Sequence, residues 1–382
     1  MDFALNDIQQ MLKDSAGKFI HNDYDFETRQ KHSHSELGYS EDNWQLFAEL
    51  GWLALPFAEE FGGLDGNATD LMVLMTELGK GLIVEPYLST VVLAGNAIQR
   101  GGTAEQKEAL IGGIVGGELK LAFAGLEAQS ATDISSISTQ ASTQASTAGS
   151  GVVLNGKKQV VLHAQSADKL VVAARSHNNN GNIALYLVDA NAEGVAAHHY
   201  PTNDGARASD LTFTNVAAEL LGDSDDAAAV IQAVLNDAIV AVSAEAVGVM
   251  DKMLAATVEY TKVRKQFDVP IATFQILQHN MVDMFMECEQ ARSMVYYAAI
   301  TIGDSSSEEA VAEANKASQF LKWKIGQAAR LVGQTAVQLH GGMGVTDELD
   351  VGHMFKRLTM INTLFGSMDI HLDNLVKQRQ AA

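Results

Sequence analysis

Gly341 and Gly342 stand together in the run Gln338-Leu339-His340-Gly341-Gly342-Met343-Gly344, between two apolar helical patterns. Two missing Cβ atoms let a flat or charged group approach the backbone more closely than a helix surface allows, although the same pair would also serve as a helix C-cap. Upstream, Arg264 and Phe267 occur in the run from Tyr260 to Phe267. A guanidinium there can fork onto a phosphate, or simply be a solvated charge on a helix. Glu245 interrupts the apolar run from Ala238 to Val249. A carboxyl buried in such a run would have a raised pKa and suit a general base; the alternative is a structural glutamate paired with a neighbouring helix. Asp369 follows Ser367 at a helix start, where capping and the macrodipole account for an acid. The single cysteine, Cys288, lies in a helical apolar pattern and reads as a buried structural thiol.

The elements that must position these residues change character twice along the chain. From Asp2 to about Gly117 apolar positions recur three and four apart, as in Ile8, Met11, Leu12 and Phe19, which predicts a helical domain over 1–117. Its pattern is broken at Leu55-Pro56-Phe57 through Gly62-Gly63. Over 118–222 short β-rich runs, among them Lys169 to Ala174 and Ile183 to Val188, are bounded by Gly, Asn and Asp clusters and predict a middle β-domain. Within it, Ser130 to Gly151 repeats the tetrad QAST and holds almost no large side chains, so it reads as a mobile, solvated loop. From 223 to 382 long helical patterns return, with lengths that suit a four-helix bundle.

Composition bounds the function classes. With 382 residues and 47% hydrophobic content the chain can bury a large core in two or three domains. A formal net charge of −21 argues against nucleic acid, and any polyanionic ligand must be met by a local basic patch. One cysteine fits a reducing compartment. An acidic, amphipathic N-terminus and the lack of a continuous apolar span predict a cytoplasmic protein that is not membrane-bound.

Taken in order, the Arg264-Lys265-Gln266-Phe267 run, Phe274-Gln275, the Gln338-to-Gly344 run and Leu364-Phe365-Gly366 resemble the acyl-CoA dehydrogenase flavoprotein family. The resemblance covers nearly the whole chain. The segments starting at Val161 and Phe355 look most like small-subunit forms of the pimeloyl-CoA dehydrogenase type. The fold this implies is α+β and mostly α: a helical domain, a β-domain and a C-terminal four-helix bundle. The activity it implies is loss of an α-proton and a β-hydride from an acyl-CoA thioester, with FAD as cofactor and electron-transfer flavoprotein as acceptor.

That reaction requires a carboxylate base, donors to the thioester carbonyl and a flavin facing the β-carbon. By resemblance the backbone N–H of Phe365 would bond the thioester oxygen. The family's usual base precedes the glycine of an Glu-Gly pair, and here that position is Phe365. The second location the family uses falls on Ala238, with Asp237 adjacent, which leaves Glu245 as a relocated base. For the cofactor, Arg264 and Phe267 match the family's cross-dimer pair at the FAD pyrophosphate. Gln275, Gln338, Gly341 and Gly342 match residues at its other end, and Ser367 and Asp369 match contacts at the adenine end. In the β-domain the Trp-x-Thr strand is replaced by Val160-Val161-Leu162 and the Thr-Glu pair by Leu126-Glu127, while Thr132 keeps part of a hydroxyl-bearing loop.

Three readings follow from this asymmetry. In the first, the chain is the base-less subunit of a heteromeric enzyme, with a homologous acyl-CoA dehydrogenase subunit as partner. In the second, it is a self-sufficient homo-oligomer using Glu245. In the third, it is a non-catalytic scaffold that retains the fold.

Overall fold

The computed structural model describes residues 4–128, 133–146, 149–179, 181–303 and 306–381. The chain divides into two compact units. One comprises Met1–Lys31, Ala68–Ile83 and Ile239–Ala382; the other comprises His32–Asn67 and Val84–Ala238.

The first unit is helical. It holds α1 (Asp7–Asn22), α4 (Ala68–Gly81) and most of α7 (Ala228–Val263), followed by α8 (Gln275–Ile302), α9 (Glu308–His340), α10 (Asp350–Thr363) and α11 (Met368–Ala381); α2 (Phe26–Ser33) lies at its margin in sequence. Local sequence sets the boundaries. Asn6 caps α1 by accepting from Gln9 N at 2.8 Å while Gln9 returns a side-chain oxygen to Asn6 N, a reciprocal capping box. Ser307 caps α9 one way only, accepting from Ala310 N at 3.1 Å. In α9 the residues Ala314, Ala317, Ser318, Leu321, Lys322, Ile325, Ala329, Val332, Ala336 and Leu339 are buried, one stripe at three- and four-residue spacing. Gly79 and Gly248 let α4 and α7 approach: a Cβ on Gly79 would lie 2.2 Å from Glu245 O, and one on Gly248 would lie 1.9 Å from Thr76 O. Helix α7 has the length and apolarity of a membrane span, yet 94% of that window is buried in protein, so it is a core helix.

The second unit carries α3 (Glu41–Glu49), α5 (Asn96–Gly101), α6 (Ala104–Val115) and a seven-stranded sheet. Its strands are β1 (Leu121–Ala124), β2 (Gln140–Ser146), β3 (Gly149–Leu162), β4 (Lys169–Arg175), β5 (Ile183–Asp189), β6 (Val195–Pro201) and β7 (Arg207–Leu220). Because β5 pairs with both β4 and β7, the path β4-β2-β3-β7-β5 closes on itself. Leu154, Leu170, Val172, Ala184, Tyr186 and Phe213 fill its interior. A two-residue ladder, β8 (Lys265–Gln266) with β9 (Val269–Pro270), forms a hairpin after α7 in the helical unit.

The fold class matches the sequence expectation: helices, a middle β-domain and C-terminal helices. One reading is corrected. The segment 130–151 is not a loop throughout, because Gln140–Ser146 forms β2 and pairs antiparallel with β3 from Gln140↔Asn155 to Ser146↔Gly149. Backbone pairing and the inward Ala141, 8% exposed, suffice to hold a strand whose small polar side chains carry little β signal. The runs at Gly151 and Gln159 are parts of one strand, β3, bent by register shifts at Leu154/Gly156 and Lys158/Val161.

Candidate functional site

Burial of Glu245 is as the apolar run predicts, at 5% exposure, and its carboxylate is paired. Arg357 on α10 reaches across and donates through Nε to Oε1 at 2.5 Å and through Nη2 to Oε2 at 2.7 Å. Both carboxylate oxygens are taken by one fork, the strongest neutralising geometry a side chain offers. The fork is the arrangement expected of a structural glutamate paired with a neighbouring helix, the alternative to a relocated base. Glu245 lies seven residues beyond Ala238, so the two share a face of α7 about 10 Å apart.

Asp237, in the sheet-bearing unit, is committed as well. It is 7% exposed and accepts from Arg100 Nε at 3.1 Å and Nη2 at 2.7 Å, with Asn96 Nδ2 at 3.4 Å. Burial pushes its pKa up and the Arg100 guanidinium opposes that rise. Phe365, at the usual base position, has φ +58° and is followed by Gly366 at φ +95°. Its N–H has no acceptor among the described residues, whereas Gly366 closes the turn whose centre is Leu364-Phe365. An unpaired N–H on a residue only 6% exposed is a donor open to a ligand carbonyl.

The proposed cofactor residues of the helical unit fall into two groups along α9. At its C-terminal end the Tyr260 ring stacks on His340, with centroids 4.3 Å apart and planes inclined by 28°. Tyr260 also donates to His340 O at 3.3 Å. This contact ties the end of α7, and therefore Arg264 one helical turn on, to Gly341 and Gly342 just past α9. Arg264 is exposed and its guanidinium has no partner among the described residues. Phe267, at the tip of the β8–β9 hairpin with φ +52°, is 89% exposed and meets Phe274 edge-on at 6.3 Å. Gln275 opens α8, and Gln338 lies in the last turn of α9; both are exposed. A Cβ built on Gly341 or Gly342 would meet nothing within 4 Å, whereas Gly344 two residues on would meet Val337 O at 2.7 Å.

The second group is Phe365, Gly366 and Ser367, between α10 and α11, with Asp369 in the first turn of α11. It packs on α9 near Lys322, eighteen residues before His340 and so about 27 Å away along the helix. The two groups cannot surround one small chemical group. Thr132 lies outside the described residues.

In the sheet-bearing unit, Val160 has φ +52°, is 41% exposed and donates its N–H to Asp210 Oδ1 at 3.1 Å, while Val161 turns into the core at 2% exposure. Neither these side chains nor Leu162 offers a hydroxyl or an indole. Glu127 is spent on structure. Lys158 Nζ lies 2.8 Å from its Oε1, and the backbone and hydroxyls of Ser138 and Thr139 donate to both oxygens. Burial alone would raise its pKa, but the Lys158 ammonium and these donors carry it well below the carboxylate range. Burial brings Lys158 down to about 8 against the pull of Glu127. Cys288 is an inert core thiol, pushed up to about 12 by burial and then by the Asp251 charge.

Residues 6–118, 122–216 and 228–379 match the N-terminal, middle and C-terminal domain models of acyl-CoA dehydrogenase. The acryloyl-CoA reductase (NADH) of Anaerotignum propionicum is 28% identical over 381 residues, spanning 97% of this chain and 94% of that protein. Among solved structures, a variant of the Tcur3481-Tcur3483 steroid ACAD superimposes with a TM-score of 0.87 at 28% identity, over 98% of this chain and 99% of that one. The ChsE4-ChsE5 complex from Mycobacterium tuberculosis gives 0.89 at 22% identity over 100% of each chain, a likeness of fold. On these grounds the chain belongs to the acyl-CoA dehydrogenase family, FAD-dependent oxidoreductases that act on the CH–CH bond of acyl-CoA thioesters.

Proposed function

We propose that this chain is the base-less subunit of a heteromeric acyl-CoA dehydrogenase, contributing a cofactor grip to a flavin site that a homologous subunit completes. The observation that carries the reading is the closure of the carboxylates. Phenylalanine occupies the usual base position, Glu245 is forked by Arg357, and Asp237 is held by Arg100. A carboxylate locked onto a guanidinium would have to break that pair before it could take a proton, so the α-proton goes to a carboxylate of the partner.

The residues fit FAD on one side only. The guanidinium of Arg264, without a partner among the described residues, can fork onto a pyrophosphate, locally opposing the repulsion of a chain with net charge −21. The open space above Gly341 and Gly342 lets a flat or phosphorylated group lie against the backbone. The β3 segment at Val160-Val161-Leu162, by contrast, has no side-chain donor to offer an isoalloxazine. Bound FAD supplies the hydride acceptor of the reaction; what this chain supplies is binding and orientation. An exposed apolar row on α8, Ile276, Val282, Phe285 and Met286, together with Phe267, is suited to cover by a second chain. We take electron-transfer flavoprotein as the electron acceptor of the assembly.

The test is flavin-to-chain stoichiometry from absorption, with turnover of an acyl-CoA, measured on this chain alone and after co-expression with a homologous subunit. The expected result is fewer flavins than chains and turnover only in the assembly. One FAD per chain with turnover by this chain alone would overturn the proposal.

A further inference from the structure

Lys322 is fully buried on α9 and has no carboxylate partner among the described residues. Its Nζ donates instead to two backbone carbonyls, Asn362 O at 2.9 Å and Gly366 O at 2.8 Å. The first is one of the orphan carbonyls that end α10, where a cation is also favoured by the helix dipole. From the other side His371, 3% exposed on the first turn of α11, meets Phe365 O through Nε2 at 2.8 Å. A carbonyl only accepts, so Nε2 carries the proton, and Nδ1 is left buried without a partner. Gly326 lets this turn settle onto α9, because a Cβ there would lie 2.5 Å from Asn362 Oδ1 and Met368 Cβ.

Each pin fixes a peptide plane. A trans peptide points its C=O and N–H in opposite directions, so drawing Phe365 O toward His371 turns the Gly366 N–H away from it. Lys322 fixes the peptides on both flanks, at 362 and at 366. The Phe365 N–H lies between pinned planes, on a non-glycine residue at φ +58° that would relax if released. An N–H without an acceptor on a buried residue is unusual in a folded chain, and a ligand carbonyl would satisfy that of Phe365.

We propose that Lys322 and His371 are positioning residues for the turn that carries the Phe365 amide, the donor that the family resemblance assigns to an acyl-thioester carbonyl, in a chain that does not turn the thioester over. The absence of turnover rests on the base-less reading above; the positioning does not. Binding and chemistry then separate in this subunit, which takes up a thioester and releases it unchanged.

The experiment uses the full chain and a 2-enoyl-CoA carrying 13C at the thioester carbonyl, followed by isotope-edited infrared spectroscopy and titration. In the wild type the carbonyl band moves to lower wavenumber on binding, the signature of amide donors on its oxygen. Lys322→Met and His371→Leu weaken binding about tenfold and return the band to its free position. His371→Gln, whose amide can still donate to Phe365 O, keeps the shift. A merely structural role would move thermal stability in both histidine variants and leave their band positions alike. Should Lys322→Met not fold, the His371→Leu and His371→Gln pair decides alone: equal shifts overturn the inference, as does a wild type that leaves the carbonyl band unmoved. Turnover by the chain alone would sink the base-less reading while leaving a contrast between the two histidine variants intact.

Discussion

Arg100 grips Asp237 with two nitrogens on the same oxygen, Nη2 at 2.7 Å and Nε at 3.1 Å, and so removes the carboxylate that stands beside the family's second base position. Asp237 is the buried member and Arg100 the half-exposed one, with side-chain exposures of 9% and 41%. Arg100→Ala therefore strands a desolvated acid and should cost about 1–3 kcal/mol of stability, read from urea denaturation. The Asp237→Asn partner change should recover part of that loss in the double variant.

Glu127 and Lys158 make the stronger case, because both are closed off from water at side-chain exposures of 3% and 0%. Glu127→Gln leaves the lysine charge buried and unpaired, a loss of about 3–5 kcal/mol. The acid sign follows from the depressed Glu127 pKa. Its stabilisation is fully present above the unfolded value near 4.5 and is lost as pH falls toward the lower folded value. The wild type should lose stability across that acid range more steeply than Glu127→Gln.

His371 gives a second pH window. Burial lowers its pKa from 6.5 to about 4, with the Phe365 carbonyl opposing. The unfolded chain therefore binds a proton below 6.5 that the folded chain refuses until about 4, so stability falls as pH drops through that interval. In His371→Gln the slope of unfolding free energy against pH should flatten there; an unchanged slope would show that the ring is free to charge.

Gly342 separates folding from cofactor contact. An added Cβ there meets open space, and φ is not in the left-handed region, so Gly342→Val should shift stability by no more than about 0.5 kcal/mol. In the assembly with a homologous subunit the same variant should retain less FAD after gel filtration. Full flavin content would show that no group lies against this backbone.

Arg264→Ala should weaken FAD retention in the assembly by about 1.5–3 kcal/mol, the range for a hydrogen bond to a charged group. Arg264→Lys should recover only part of it, since an ammonium cannot fork. Flavin fluorescence on dilution reads both.

The glycine pair, the Arg264 run and the burial of Glu245 were legible because each is a local pattern: residue type, spacing and an interrupted apolar stripe. Arg357 was not, because it stands 112 positions from Glu245 and nothing local pairs them. Arg100 is hidden from Asp237 in the same way. Lys322 did leave a signal, a cation on the buried stripe of α9 between Ser318 and Ile325, but the stripe does not say which carbonyls it meets. Strand β2 escaped because small hydroxyl-rich residues look like a linker, and only its ladder to β3 makes it a strand.

Helix α9 runs unbroken from the Lys322 carbonyl clamp to the Tyr260–His340 stack. Because no turn interrupts it, the two ends keep one spacing and one rotation about a common axis, so neither can shift by itself unless α9 bends or breaks.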